Sequence, residues 1–94
     1  MIKDQARCTA LEGIYQVMEE GAYANLGLDK ALFQHTLLTK QDKGFITELV
    51  YGTIKYKARL DWVINRLGNI KIEKQNPWVR NVLRLSTYQM LFMD

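Results

Sequence analysis

The chain has 94 residues, of which 48% are hydrophobic and 24% charged, and its formal net charge is +3. These values are typical of one small globular domain and exclude a disordered or collagen-like chain. No apolar run approaches the roughly 18 residues of a membrane-spanning helix, and no signal peptide is visible, so we expect a cytoplasmic protein. With one cysteine and one histidine, the chain can form neither an internal disulfide nor a Cys/His metal cage.

The charge is distributed unevenly along the chain. Residues 1–54 contain five Lys/Arg against seven Asp/Glu, whereas residues 55–84 contain eight Lys/Arg against two Asp/Glu. The first part is therefore net −2 and the second net +6. Such polarity indicates a surface that meets a polyanion such as nucleic acid, and the alternative is a basic surface that is only solvated.

Two helices are predicted in the acidic part of the chain. Helical spacing of apolar residues predicts the first over residues 3–20, ended by Gly21. A loop containing Gly27 follows, and then a short helix over residues 29–38. The acidic residues 19–20 stand at the negative end of the first helix, an unfavourable position for which the sequence gives no reason.

A single long helix is predicted over residues 40–67. Thr39 and Asp42 match a capping box at its start, and Gly68 favours a left-handed stop at its end. Its apolar stripe recurs at steps of three and four residues and consists of Leu49, Thr53, Tyr56, Leu60, Val63 and Leu67. One face of this helix should therefore be buried in the core.

Cations lie beside that stripe. At 100° per residue, Lys55, Arg59 and Arg66 fall within roughly 40° of one another, on a flank about 90° from the centre of the stripe. We interpret them, together with Lys57, as residues that bind RNA phosphates with release of counterions. The alternative is a solvated helix flank with Asp61 nearby.

The last helix begins at a strong signal and ends in an apolar turn. Asn76 is a good N-cap, and Pro77 suits the first helical position, where a missing N–H has no cost. Residues 90–93 are all apolar, and a helix that is apolar on every side must be covered by something. We therefore expect the chain to be part of a longer polypeptide, or to self-associate through this end.

Five segments together resemble a known family. They are RCTALEGIY at 7–15, ELVYGT at 48–53, LD at 60–61, VLRL at 82–85 and YQML at 88–91. This pattern is similar to the NusB-like all-helical RNA-binding domain, and within that family it looks most like the N-terminal domain of bacterial 16S ribosomal RNA cytosine-5 methyltransferases. The free-standing transcription antitermination factors of the same family are the alternative. The resemblance implies an all-α bundle of about five helices, truncated relative to the full family domain, that occupies residues 1–94.

The resemblance also implies roles for individual residues. It places Arg7 at a basic, RNA-contacting end of the first helix, although pairing with Asp4 is the alternative. Structural roles are also expected from the residues themselves. Close helix packing is the simplest reason to tolerate Gly52 inside a helix, and a near approach by RNA backbone is the alternative. Arg84 lies between apolar neighbours, so its stem should be buried and its donors should bond a carboxylate, such as Glu48 or Asp61, or backbone carbonyls. Further structural positions are Asp61 and the core residues Tyr56, Leu60 and Tyr88, with stacking on unpaired RNA bases as the alternative for the two tyrosines.

The sequence therefore predicts a domain that binds ribosomal RNA and positions it for a methyltransferase. We assign no catalytic residue and no metal ligand, because Cys8 has no neighbouring base to activate it. The resemblance implies that S-adenosylmethionine binds a separate catalytic domain, which would be a partner of this one. The alternatives are an antitermination-type adapter and a protein-interaction brace that does not bind RNA.

Overall fold

In the computed structural model, which describes residues 3–35 and 37–93, the chain folds into five α-helices and one 3-10 turn. The helices are α1 (Lys3–Met18), α2 (Ala24–Phe33), α3 (Lys40–Lys55), α4 (Lys57–Leu67) and α5 (Pro77–Phe92), and the turn is Ile72–Lys74. No strand occurs in these two ranges, which confirms the predicted all-α bundle. Within the same ranges no helix combines the length and apolar content that a membrane span requires.

Helix α1 lies at the centre of the bundle. It packs against α2, α3 and α5, and α5 also contacts α3 and α4. The buried core that these contacts enclose consists of Ala6, Ala10, Ile14, Leu28, Ile46, Leu49, Val50, Leu60, Leu85 and Tyr88. The buried Ala6 and Ala10 of α1 are small side chains, which allow neighbouring helices to approach closely.

The start signals of α3 and α5 are formed as the sequence predicts. The Asp42 N–H donates to Thr39 Oγ1 and the Thr39 N–H donates to Asp42 Oδ2, each at 3.0 Å. The second of these bonds lowers the pKa of Asp42, because it stabilises the ionised carboxylate. At α5, Asn76 Oδ1 accepts from the Trp78 N–H at 2.9 Å, and Pro77 is the first helical residue.

Only one of the two predicted glycine stops is left-handed. Gly21, the predicted stop of the first helix, has φ +75°, and the helix itself ends two residues earlier than predicted, at Met18. Gly68 has φ −98° and ψ 159°, so the prediction of a left-handed stop there is wrong. The chain instead leaves α4 in an extended conformation because Ile72, only 3% exposed, is drawn into the core and its N–H donates to Asn65 Oδ1 at 2.7 Å.

The second helix lies about one turn earlier than predicted. It occupies Ala24–Phe33 rather than residues 29–38, so Gly27 is inside the helix and not in a loop. Gly27 is buried against α1, where a Cβ would lie 3.0 Å from Val17 Cγ2. Close packing of two helices explains a glycine that the sequence alone presents as a loop signal.

The long helix predicted over residues 40–67 is broken. Tyr56 has φ −101° and ψ 18°, outside the helical range, and separates α3 from α4. Backbone hydrogen bonds continue across the break, since the Tyr56 N–H donates to the Gly52 carbonyl at 3.1 Å and the Leu60 N–H donates to the Tyr56 carbonyl at 2.9 Å. The angular relation calculated for one continuous helix therefore does not hold between Lys55 on α3 and the cations on α4.

The break also changes which residues of α4 are buried. Leu49, Thr53 and Leu60 are fully buried, as the stripe predicts. Leu67 is 84% exposed, so its predicted place on the buried face is wrong, and Ile64, 8% exposed, faces the core instead. The predicted stripe runs through residue 56 as if the helix were continuous, which misplaces its last member.

Candidate nucleic-acid interface

Helices α3 and α5 are in close contact at Gly52. A Cβ at this position would lie 2.5 Å from Tyr88 Cε1 and nearer still to the Cζ and hydroxyl oxygen of the same side chain. Tyr88 is 7% exposed, and its burial raises the pKa of the phenol above the usual value. The absence of a side chain at Gly52 therefore brings the Tyr88 ring against the helix one turn before the break.

Three aromatic rings cover the break. The ring centroids of Tyr56 and Phe92 are 4.3 Å apart with an interplanar angle of 16°, and those of Tyr88 and Phe92 are 5.4 Å apart. This aromatic stack of Tyr56, Tyr88 and Phe92 joins the α3–α4 junction to the last turn of α5. Phe92 is 39% exposed, so the stack reaches from the core to the surface.

Three predicted RNA-binding cations lie over aromatic rings. The distances to ring centroids are 5.4 Å for Lys55 Nζ over Tyr56, 5.9 Å for Arg59 Cζ over Phe92 and 4.9 Å for Arg66 Cζ over Trp62. All three cations are exposed, and in the described part of the chain none has a carboxylate oxygen within 4.0 Å. We call Lys55, Arg59 and Arg66 the ring-held cations.

The other two predicted RNA-binding residues have acidic partners. Lys57 Nζ donates to Asp61 Oδ2 at 3.0 Å, and Arg7 Nη1 donates to Asp4 Oδ1 at 3.1 Å. Both pairs are partly exposed, where ion pairs contribute at most about 1 kcal/mol. Lys55 and Arg59 thus lie over rings of the aromatic stack, Arg66 lies over Trp62 on α4, and Arg7 lies on α1.

A hydrogen-bonded network links α1, α4 and α5. Arg84 Nε and Nη2 donate to the two carboxylate oxygens of Asp61 at 2.7 and 3.1 Å, and its Nη1 donates to Asn81 Oδ1 at 2.9 Å. Asn81 Nδ2 and Arg80 Nε donate to Glu19 Oε2 at 2.8 and 2.7 Å, and Arg80 Nη2 also pairs with Glu19 Oε1. We call these five residues the polar clasp.

The polar clasp explains why an acidic residue, Glu19, follows the C-terminal end of α1. The Arg80 guanidinium, followed by the Asn81 amide, holds the pKa of Glu19 below its usual value against the opposing effect of burial. Asn81 is fully buried and Arg84 is 5% exposed, so these groups need the partners that the clasp supplies. Sequence analysis missed Glu19, Arg80 and Asn81, and the available signal was the unfavourable acid at a helix C-terminus.

An apolar groove of about 320 Å³ lies between α4, the connector and α5. Its wall includes Leu67, Ile70, Leu83, Met90 and Leu91. Met90 is 81% and Leu91 51% exposed, as the sequence predicts for the apolar last turn. This groove is separate in its chemistry from the ring-held cations, since its lining contains no charged side chain.

The described residues contain no centre for metal chemistry. Residues 3–35 and 37–93 include no group of three His, Cys, Asp or Glu side chains that could hold a metal ion. Cys8 is a free, exposed thiol on α1. The exposed ammonium and guanidinium groups of the ring-held cations are hydrogen-bond donors of the kind that bind anions.

The bundle is a small all-α domain that carries exposed cations over aromatic rings on α3 and α4. The model of the NusB family matches residues 4–94, and the chain belongs to that family. It is 40% identical over its whole length to the probable ribosomal RNA small subunit methyltransferase B of Bacillus subtilis, and 35% identical over 95% of its length to the protein of the same name from Synechocystis. It spans about a fifth of the length of these two relatives.

A second group of relatives consists of smaller proteins. The chain is 33% identical over its whole length to the transcription antitermination protein NusB of Bacillus licheniformis, of which it covers 70%. The comparison with solved structures gave no significant match. The family is thus shown by sequence, and the two groups of relatives correspond to the two forms of the domain that the sequence analysis distinguishes.

Proposed function

We propose that this chain is the RNA-binding, substrate-positioning domain of an S-adenosylmethionine-dependent methyltransferase that forms 5-methylcytosine in 16S ribosomal RNA. Membership of the NusB family and the similarity to two ribosomal RNA small subunit methyltransferases support this assignment. S-adenosylmethionine and the catalytic residues would belong to the separate catalytic domain. The role of this domain is to hold the RNA in the cytoplasm while that catalytic domain acts.

The observation that carries the proposal is the state of the ring-held cations. An arginine or lysine that lies over a ring keeps its N–H donors available, whereas one bonded to a carboxylate has already used them. Lys55, Arg59 and Arg66 each lie over a ring, so their N–H donors are available. We assign them the main phosphate contacts and give Lys57 and Arg7 a secondary part, because each would have to leave an acidic partner.

The salt dependence of RNA binding tests this proposal. Replacing the ring-held cations together with glutamate should weaken binding to a single-stranded ribosomal RNA segment. It should also reduce the slope of log K against log salt by about 0.7 for each phosphate that the variant no longer neutralises, hence by about 2 in total. Binding is measured by fluorescence anisotropy at several salt concentrations.

A matched control separates a local contact from net charge. Lys30, Lys43 and Lys74 are exposed and lie on α2, at the start of α3 and in the 3-10 turn. Replacing these three with glutamate changes the net charge by the same amount. If both triple variants lose affinity and slope equally, binding depends on overall charge and the proposed interface is wrong.

The apolar groove supports a second candidate function, docking of another protein domain. The lining is wholly uncharged and the exposed Met90 and Leu91 form its rim, which is typical of a protein contact. We propose the catalytic methyltransferase domain as the occupant, and self-association of the chain is the competing outcome. Replacing Leu67 and Met90 with serine should abolish binding of the methyltransferase part of the Bacillus subtilis relative supplied in trans. A particle mass that rises with concentration in light scattering would instead indicate self-association.

The antitermination-type adapter remains the rival within the family, since one group of relatives carries that name. A titration with a ribosomal RNA hairpin at two salt concentrations separates RNA-binding roles from a brace, because a brace should show no saturable binding. A glycine-rich methyltransferase motif encoded downstream in the same reading frame would support the methyltransferase assignment over the adapter.

A further inference from the structure

Trp62 differs from the other aromatic residues around the junction. Its side chain is 60% exposed, and it takes part in none of the ring stacks found in the described chain. The other tryptophan, Trp78, lies on Tyr15 with centroids 3.9 Å apart and an interplanar angle of 13°. The Trp62 ring is therefore accessible to a ligand, whereas the Trp78 ring is already stacked on a protein ring.

Two of the ring-held cations flank Trp62 on the outer face of α4. At 100° per residue, Arg59, Trp62 and Arg66 fall within about 60° of one another. At 1.5 Å per residue, Arg59 lies about 4.5 Å before Trp62 along the helix axis and Arg66 about 6 Å beyond it. All three positions belong to the same helix, so the break at Tyr56 does not disturb this relation.

Each of these arginines is held in place without losing its charge. Arg66 lies over the Trp62 ring at 4.9 Å, and Arg59 lies over Phe92, a member of the aromatic stack, at 5.9 Å. Neither is paired with a carboxylate within the described residues. The result is an exposed indole with a cation on either side along the helix, the combination of stacking surface and phosphate ligands that single-stranded nucleic acids require.

We propose that Trp62, Arg59 and Arg66 form a stacking platform for one unpaired nucleotide, so that this domain selects single-stranded over double-stranded RNA. The inference rests on the proposed RNA-binding function and names the form of RNA that the interface accepts. An unpaired base stacks on the indole, and the two guanidiniums bind the phosphates on either side of it. In a duplex the base faces are already stacked on their neighbours, so the platform has nothing to bind.

The two tryptophans provide a direct test. Trp78→Phe keeps a ring against Tyr15 and leaves Trp62 as the single fluorescent reporter. Titrating this variant with oligoadenylate should quench the Trp62 emission in a saturable way, and an RNA duplex of the same length should not. Binding by charge alone predicts the opposite order, because a duplex carries more phosphates per unit length.

A second measurement separates stacking from charge. Trp62→Ala should lower the affinity for oligoadenylate by about 5- to 150-fold, the range of one base–aromatic stack, and Trp62→Phe by only a few-fold. The salt slope should stay unchanged in both, because no charge is removed. Both variants should melt like the parent chain in circular dichroism, since the side chain is exposed.

Two results would overturn the platform and leave the proposed function standing. One is an unchanged affinity of Trp62→Ala for oligoadenylate with the normal salt slope, and the other is duplex binding as tight as single-strand binding. Failure of the parent chain to bind any RNA would remove both the platform and the proposed function.

Discussion

Replacing Gly52 with alanine tests whether the close approach of α3 and α5 organises the junction. Alanine favours a helix over glycine by about 1 kcal/mol, so propensity alone predicts a more stable protein. The added Cβ, however, would lie 2.5 Å from Tyr88 Cε1 and overlap the rest of the ring edge. The ring cannot move aside easily, because Phe92 and Tyr56 both stack on it, with ring centroids 5.4 and 6.3 Å away.

The two effects can be compared in magnitude. Overpacking of a filled core costs about 1 to 3 kcal/mol, and we take the upper end because the overlap involves a ring fixed by its neighbours. After the gain in propensity, Gly52→Ala should destabilise the domain by about 2 kcal/mol. For a domain of this size that corresponds to a fall in Tm of about 8 to 16 °C, measured by circular dichroism.

The same helix supplies the control. Gly44 also lies in α3, and a Cβ there would meet nothing within 4 Å. Gly44→Ala should therefore raise Tm by a few degrees, through propensity without a clash. In a Tyr88→Ala background, Gly52→Ala should change from destabilising to neutral or stabilising. A Gly52→Ala protein that melts at or above the temperature of Gly44→Ala would refute the reasoning.

Three further predictions concern the polar clasp and the capping box. Glu19→Gln should lower the free energy of unfolding, measured by urea denaturation, by about 2 to 3 kcal/mol. This is somewhat less than for a fully buried pair, because the Arg80 partner is partly exposed. The control Glu20→Gln, at an exposed position, should change stability little. The pKa of Glu19 is lower in the folded than in the unfolded protein, so the ionised carboxylate contributes its full stabilisation above the unfolded value of about 4.5. That stabilisation is lost as the pH falls through the folded-state pKa. The stability of Glu19→Gln should therefore depend less on pH than that of the parent below pH 4.5. Asp61→Asn should cost about 3 kcal/mol, since Arg84 loses the carboxylate that balances its buried charge, and a loss under 1 kcal/mol would contradict the structural role of the pair. Thr39→Ala should cost about 1 kcal/mol through loss of the cap, and an unchanged denaturation midpoint would show that the capping box contributes nothing.

Signals that act within a few residues of each other are predicted correctly from the sequence. The capping box at Thr39 and the N-cap at Asn76 depend on side chains that bond to backbone groups two or three residues away. The predicted stop at Gly21 lies within three residues of the end of α1, because a left-handed glycine after a helix is also a local feature. Local chemistry of this kind needs no knowledge of the rest of the fold.

Features set by distant partners are not predicted. The break at Tyr56 has no proline or glycine at that residue, and the ring stacks on Phe92, 36 positions later in the chain. The glycine that permits this packing, Gly52, is recognisable as a packing residue, but the sequence does not identify Tyr88 as its partner. Periodicity counted through residue 56 cannot detect a change that tertiary packing imposes.

The candidate interface shows the same division. The cluster of cations is visible in the sequence, but whether each one faces a carboxylate or a ring is decided by the fold. Lys57 and Arg59 are two residues apart, yet one is bonded to Asp61 and the other lies over Phe92. The five predicted RNA-binding residues stay a prediction, and the structure ranks them by the partner that each one already has.

The bond between Glu19 and Arg80 also determines when α1 can take its final place. The two residues are 61 positions apart, so at a synthesis rate of about 5 to 20 residues per second the carboxylate waits roughly 3 to 12 s for its guanidinium. Until then the carboxylate is better kept in water than buried alone. The ribosome must therefore synthesise almost the entire domain before the bond between Glu19 and Arg80 can form. If translation stalls before residue 80, the end of α1 lacks this partner.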